Sequence, residues 1–154
     1  MNPKNHDVIV LNENNFDIPL EFDDLISSIL TLENISSVKV VTINFVNDQV
    51  MKHLYEQYFG YAQNTDVLSF EASVIDPESG KEILGDIVIC YPFVFQQSKS
   101  LGNDFFAEIK LMVIHGMLHL LGYEHFTNEQ KSIMWQKQSK ILKANEIRLN
   151  KLPE

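Results

Sequence analysis

The chain has 154 residues and a mass of 17.8 kDa, a length that fits one domain and leaves little room for a second. It is 45% hydrophobic, so it can bury a core without disulfides, and its lone cysteine, Cys90, excludes an intramolecular disulfide framework and fits a reducing, cytoplasmic setting. A net charge of −9 excludes a global electrostatic pull on nucleic acid or anionic lipid. No run of about 18 apolar residues is present to span a membrane, and no signal peptide is expected in the first thirty residues. The charge is unevenly spread. Residues 1–125 carry six lysines against eighteen acids, whereas residues 126–154 carry five lysines and Arg148 against three. That C-terminal stretch reads first as a solvated helix face and second as a local patch for a polyanion.

In chain order, Asp7–Leu11 contains Val8, Ile9 and Val10 and reads as a short buried strand. Pro19 sits near a helix start, after which Phe22, Leu25, Ile26, Ile29 and Leu30 recur at helical spacing. The β-branched run 38–45 predicts a strand, and Asn47 predicts the cap of a helix carrying Val50, Met51, Leu54, Tyr55 and Tyr58. Strands over Asp66–Ile75 and Ile83–Tyr91 are joined by Asp76-Pro77-Glu78-Ser79-Gly80, a turn signal for an antiparallel hairpin. A short helix over Phe93–Gln97 precedes a longer one from Asn103 to Leu121, with Gly122 where helices turn left-handed and stop. Thr127-Asn128-Glu129-Gln130 matches a capping box and opens a last helix, through Ile133, Met134, Ile141 and Leu142, to about Leu149. The pattern predicts one α+β domain over residues 1–154, a small mixed sheet with a hairpin packed by helices.

Chemistry concentrates in His115-Gly116-Met117-Leu118-His119-Leu120-Leu121-Gly122-Tyr123-Glu124-His125. On a helix, His115 and His119 are one turn apart and share a face, while Leu111, Ile114, Leu118 and Leu121 occupy the adjoining face and anchor the helix to the sheet. Gly122 lets the chain fold back so that His125 completes a trio of imidazoles. Three imidazoles and one open position suit a catalytic zinc site, whereas a structural site closes with a fourth ligand, usually cysteine. Nickel, iron or cobalt would suit the same donors. The plainer reading is two satisfied core histidines and a loop histidine, but Gly122 falls where the metal geometry needs a glycine. The remaining pair, His6 and His53, have no partner pattern and read as surface residues.

The spacing H-x3-H-x2-G-x2-H is shared with metzincin metalloproteases, whose general base is a glutamate directly after the first histidine. Here that position is Gly116, which cannot take a proton, so peptide hydrolysis drops to second place. The block His115-Gly116-x-Leu118-His119-Leu120-x-Gly122-Tyr123-x-His125 resembles the signature of the YbeY family of bacterial endoribonucleases and rRNA maturation factors. Thr65-Asp66-Val67-Leu68-Ser69-Phe70 and Leu84-Gly85-Asp86-Ile87-Val88-Ile89 are similar to that family too, and the likeness spans roughly residues 40–145.

The resemblance implies a single α+β domain with one zinc on His115, His119 and His125. It implies a single-strand-specific endoribonuclease that matures the 3′ end of small-subunit ribosomal RNA and monitors ribosome quality. The partners it implies are single-stranded RNA, the ribosome and its assembly factors, with neither DNA nor membrane. Two positions depart from the family pattern. Glu124 stands where aspartate is usual, and Phe59 stands where an arginine would grip phosphate. Lys52, Lys110 and a C-terminal lysine are alternative replacements for that arginine.

Zinc on the trio is expected to bring the pKa of a coordinated water down toward about 7 and to polarise a phosphate oxygen. Glu124 is a candidate for orienting His125 or shuttling a proton, with an exposed turn carboxylate as the plainer reading. Tyr123, Asp86 and Ser69 read as structural hydrogen-bonding residues, the last two on strands near the metal helix. Three functions stay open: the endoribonuclease, a metallopeptidase-like hydrolase, and a ribosome-assembly binding protein whose metal stabilises the fold. Phe59 and the acidic net charge favour the third.

Overall fold

The β-branched run after Val38 forms the centre of the sheet. In the computed structural model, which describes residues 6–153, it is strand β2 (Lys39–Val46), flanked by β1 (Asp7–Leu11) on one side and β4 (Glu82–Cys90) on the other. Both pairings are parallel, and β3 (Val67–Ile75) adds antiparallel to β4, giving a mixed sheet in the order β1-β2-β4-β3. The expected hairpin is β3–β4, with the Asp76 carboxylate accepting from the Glu78 N–H and the Ser79 hydroxyl in its turn.

Strand alternation sorts the side chains into two layers. Val41, Ile43 and Phe45 of β2 and Ile87 and Ile89 of β4 join one buried cluster with α1 (Asp23–Leu32), α4 (Phe105–Leu120) and α5 (Asn128–Ala144). Val46, Val88 and Cys90 form a second cluster with Met51 of α2 (Asp48–Phe59). Each fully buried branched or aromatic side chain contributes about 1.5–3 kcal/mol relative to exposure. That term explains why α4, apolar on nearly every side, lies inside the molecule. Leu111, Ile114 and Leu118 are buried there as expected, and Leu121 is half-buried.

Several boundaries differ from the expectation. The short helix expected over Phe93–Gln97 is α3 (Tyr91–Leu101), started by Pro92 in its first turn and stopped by Gly102 at φ 69°. Val94 and Ser98, four apart, are its buried stripe. The last helix ends at Ala144 rather than near Leu149. Glu146 takes φ 57°, and the Ile147 N–H returns to the Leu142 carbonyl at 2.9 Å, a left-handed stop on a non-glycine residue. Its start is as expected, since Thr127 and Gln130 make both halves of the capping box. Among the described residues, no helix is long and apolar enough to cross a membrane.

His53 is exposed on α2, as expected, but His6 is not a surface residue. It is buried, and its Nδ1 accepts the Lys39 backbone N–H at 3.0 Å. The β1–β2 pairing that sets Asp7 opposite Val40 brings the preceding histidine against the start of β2.

Cys90 is fully buried, and burial, reinforced by the Asp48 carboxylate at 3.3 Å, pushes its thiol up to about 12. At pH 8 the native protein is expected to react with a thiol reagent roughly a thousandfold more slowly than the urea-unfolded chain, because only the thiolate attacks. Stopped-flow absorbance with a chromogenic disulfide measures both rates.

Candidate metal centre

Helix α4 is placed so that one face meets the sheet and its last turn opens on a cleft. Asp104 caps its start by accepting the Ala107 N–H at 3.0 Å. Gly116 lies where α4 crosses the sheet, and a Cβ there would sit 2.7 Å from Ile87 Cγ2 and 3.1 Å from Ser69 Oγ. Without that side chain the helix approaches close enough for the Ser69 hydroxyl to donate to the Gly116 carbonyl at 3.3 Å. His115 and His119 flank this contact and turn toward the cleft.

The loop after α4 then returns His125 to its two partners. The Gly122 N–H bonds the His119 carbonyl at 3.0 Å and the Tyr123 N–H bonds the Leu118 carbonyl at 3.0 Å, a Schellman stop with Gly122 at φ 100°. Tyr123 donates its hydroxyl to Glu33 at the end of α1, and Lys137 of α5 pairs with the same carboxylate at 3.3 Å. This three-residue latch fixes the loop between two helices.

One ring nitrogen from each of His115, His119 and His125 lies within 4.8 Å of the others. The hydrogen bonds on the far sides of two rings fix what those nitrogens are. His115 Nδ1 meets Gln138 Oε1 at 3.1 Å, and His119 Nδ1 meets the Tyr123 carbonyl at 2.9 Å. A carbonyl oxygen only accepts, so both Nδ1 atoms carry the proton and both Nε2 atoms carry a lone pair.

Those two Nε2 atoms face each other at 3.1 Å. Two lone pairs so close repel unless a cation lies between them. The donor set therefore fits a divalent metal ion, which His115, His119 and His125 would hold, with the outer N–H of His115 and that of His119 each kept on a carbonyl.

Protonation agrees. Burial, followed by the charge that neighbouring His119 would carry, lowers the His115 pKa to about 4. Burial is also the first cause lowering His119, opposed by the Tyr123 carbonyl. Both rings are neutral at pH 7, the state in which imidazole binds a metal.

The cleft, about 590 Å³, is lined by the triad with Ser69, Leu111, Trp135 and Gln138, and by Asp66, Glu71, Glu124 and Lys131 among its charged residues. Ser69 thus reaches the site. Asp86, adjacent to Ile87 on β4, takes the alternate face, is exposed, and lies outside the cleft. The Glu124 carboxylate is 3.7 Å from His119 Nδ1, so it sits beside His119. Of the lysines considered as replacements for an arginine, Lys52 and Lys110 do not line the cleft, whereas Lys131 does.

Gln138 and Trp135 also line the site, and the apolar positions that mark the last helix in sequence include neither. Gln138 is buried, and Trp135 stands edge-on to both His115 and His125 at 5.8 Å. Lys131, Trp135 and Gln138 recur at i, i+4 and i+7, a stripe that sequence could have shown. Ile133, from the apolar pattern, is 45% exposed. Replacing Gln138 by Ala removes the His115 Nδ1 acceptor and is expected to weaken metal binding about 10–100-fold, measured by competition with a chromogenic chelator.

Fold and site together define a class: an α+β domain whose cleft carries three convergent imidazoles suited to a divalent ion. The model of the family described as endoribonuclease YbeY matches residues 8–146, and the chain belongs to that family. An endoribonuclease YbeY from Geobacillus sp. (strain WCH70) is 35% identical over 128 residues, covering 78% of this chain and 81% of that protein. One from Bifidobacterium longum subsp. infantis is 37% identical over 140 residues, covering 88% and 77%. The solution structure of TM1509 from Thermotoga maritima superposes with a TM-score of 0.61 at 27% identity, covering 88% of this chain and 87% of the other.

Proposed function

We propose that this chain is a zinc-dependent endoribonuclease that cuts single-stranded RNA. In this reading residues 1–154 form one hydrolase domain, with His115, His119 and His125 as the metal ligands. It works in the cytoplasm on the 3′ end of small-subunit ribosomal RNA and in ribosome quality control, with the ribosome and its assembly factors as partners. Family membership supports the RNA-cleaving role. The observation that carries the metal site is the pair of Nε2 lone pairs facing at 3.1 Å while both Nδ1 protons are held by carbonyls.

A divalent ion bound there supplies Lewis acidity toward a phosphate oxygen and a coordinated water acidic enough to ionise near neutral pH. The protein's own part is orientation. Gln138 and the Tyr123 carbonyl hold the ring tautomers, and the Glu33–Tyr123–Lys137 latch holds the loop that delivers His125. Asp66, Glu71 and Glu124 place negative charge around the site, which favours a cation.

A peptidase reading lacks its base. Any side chain at position 116 would meet Ile87 and Ser69 before it reached the cleft.

The test incubates purified protein with a single-stranded RNA, with and without chelator, beside His115→Ala. Cleavage that the chelator stops and that His115→Ala lacks is the expected result. RNA that stays intact while chelation lowers the melting temperature would instead indicate a metal-stabilised binding protein. Digestion of casein would indicate the peptidase.

A further inference from the structure

Large aromatic rings normally lie inside a fold, yet two stand exposed on the rim of the histidine cleft. Phe59 is 54% exposed and Phe126 is 83% exposed, and both line the cavity that holds the triad. Core packing accounts for neither, the Phe126 ring meeting only that of His125 at 6.3 Å among the ring contacts of the described residues. Phe59 ends α2 with its ring 4.5 Å from Tyr55, which itself meets Tyr61 at 5.4 Å, so these rings rest on one another and not on the core. Phe126 precedes the Thr127 cap of α5, where an apolar residue usually staples onto the fourth helical position. That position is Lys131 rather than a branched or aromatic residue, and its Nζ lies 5.5 Å from the Trp135 ring.

Charge in the same cleft is unsuited to gripping a polyanion. Among the described residues its lining includes Asp66, Glu71 and Glu124 against one lysine, Lys131. A substrate carrying a phosphate on every unit must therefore find its affinity elsewhere. Unpaired bases offer flat π-faces that stack on aromatic side chains whatever their sequence, and such faces are covered in a duplex.

We propose that Phe59 and Phe126 form a stacking platform for the unpaired bases on either side of the cut phosphate. Binding then rests on π-faces more than on cations, and the platform is the physical source of a preference for single strands. This proposal rests on the RNA-cleaving reading above.

The test measures KM and kcat for chelator-sensitive cleavage of a short single-stranded oligoribonucleotide by the metal-loaded protein and its variants. Leucine keeps apolar bulk but removes the ring, so Phe59→Leu and Phe126→Leu are expected to raise KM about 5- to 100-fold each. Phe59→Tyr, which keeps a ring, is expected to stay near the wild-type KM. The logarithm of 1/KM should fall with the logarithm of salt at a slope near −0.7, the value for about one neutralised phosphate on a single strand.

Phe59→Leu is decisive, because Phe59 is remote in sequence from the histidines. A wild-type KM in that variant, a loss confined to kcat, or a salt slope steeper than about −2 overturns the platform while leaving the nuclease reading intact. Wild-type protein that cleaves no RNA overturns both.

Discussion

His119→Ala should purify with little bound metal, where the unmodified chain carries about one ion. The alanine removes one of the two facing lone pairs and leaves His115 Nε2 without its closest partner, 3.1 Å away. Outer partners of metal-bound histidines are worth about 10–100-fold in affinity, so loss of a ligand should weaken binding by more than ~100-fold and take RNA cleavage with it. His119 is only half-buried at the end of α4, so the fold should survive and far-ultraviolet circular dichroism should match wild type. Elemental analysis of both proteins after gel filtration gives the answer. Equal metal content in the two would place the ion elsewhere.

The second large effect concerns folding. Gly85 lies at φ 143° in an irregular stretch of β4, where Leu84 stands opposite two residues of β3, Ala72 and Ser73. A Cβ on Gly85 would be 2.1 Å from the Phe70 carbonyl oxygen and 3.0 Å from Leu120 Cδ2. The oxygen is backbone in a paired strand and cannot step aside, and the positive φ adds strain of its own. Gly85→Ala is therefore expected to cost about 3 kcal/mol or more. In a chain of this size that loss lowers the melting temperature by roughly 10 °C. A calorimetric scan of metal-free protein isolates the effect from ion binding, and an unchanged Tm would contradict the packing described at this bulge. The metal site should suffer indirectly, since Leu120 follows His119 and packs over the same glycine.

What could be read from sequence alone follows from how local each feature is. The hairpin, the Asn47 and Thr127 caps and the Gly122 stop are set by residues within a few positions of one another, and each is found where expected. The triad was legible for the same reason, because His115 and His119 share a helical turn and Gly122 turns the chain back toward His125. Gln138 was not, since a polar residue on a polar-looking helix gives no sign that tertiary packing will bury it against His115. The Glu33–Tyr123 contact joins residues ninety positions apart, and His6 is buried by a strand pairing, so neither leaves a local trace. Glycine's role at 85 and 116 is likewise visible only once the neighbouring strand and helix are in place. The last helix stops short of Leu149 because a non-glycine residue, Glu146, takes the left-handed conformation.

The claim on which the function depends is that three imidazoles hold one divalent ion and leave room for solvent. X-ray absorption at the metal edge of the purified protein tests it without reference to activity. The expected spectrum has about three imidazole nitrogens at ~2.0–2.1 Å and at least one further light-atom ligand from solvent. A sulfur shell at ~2.3 Å, or a closed shell of four protein ligands, would contradict the account.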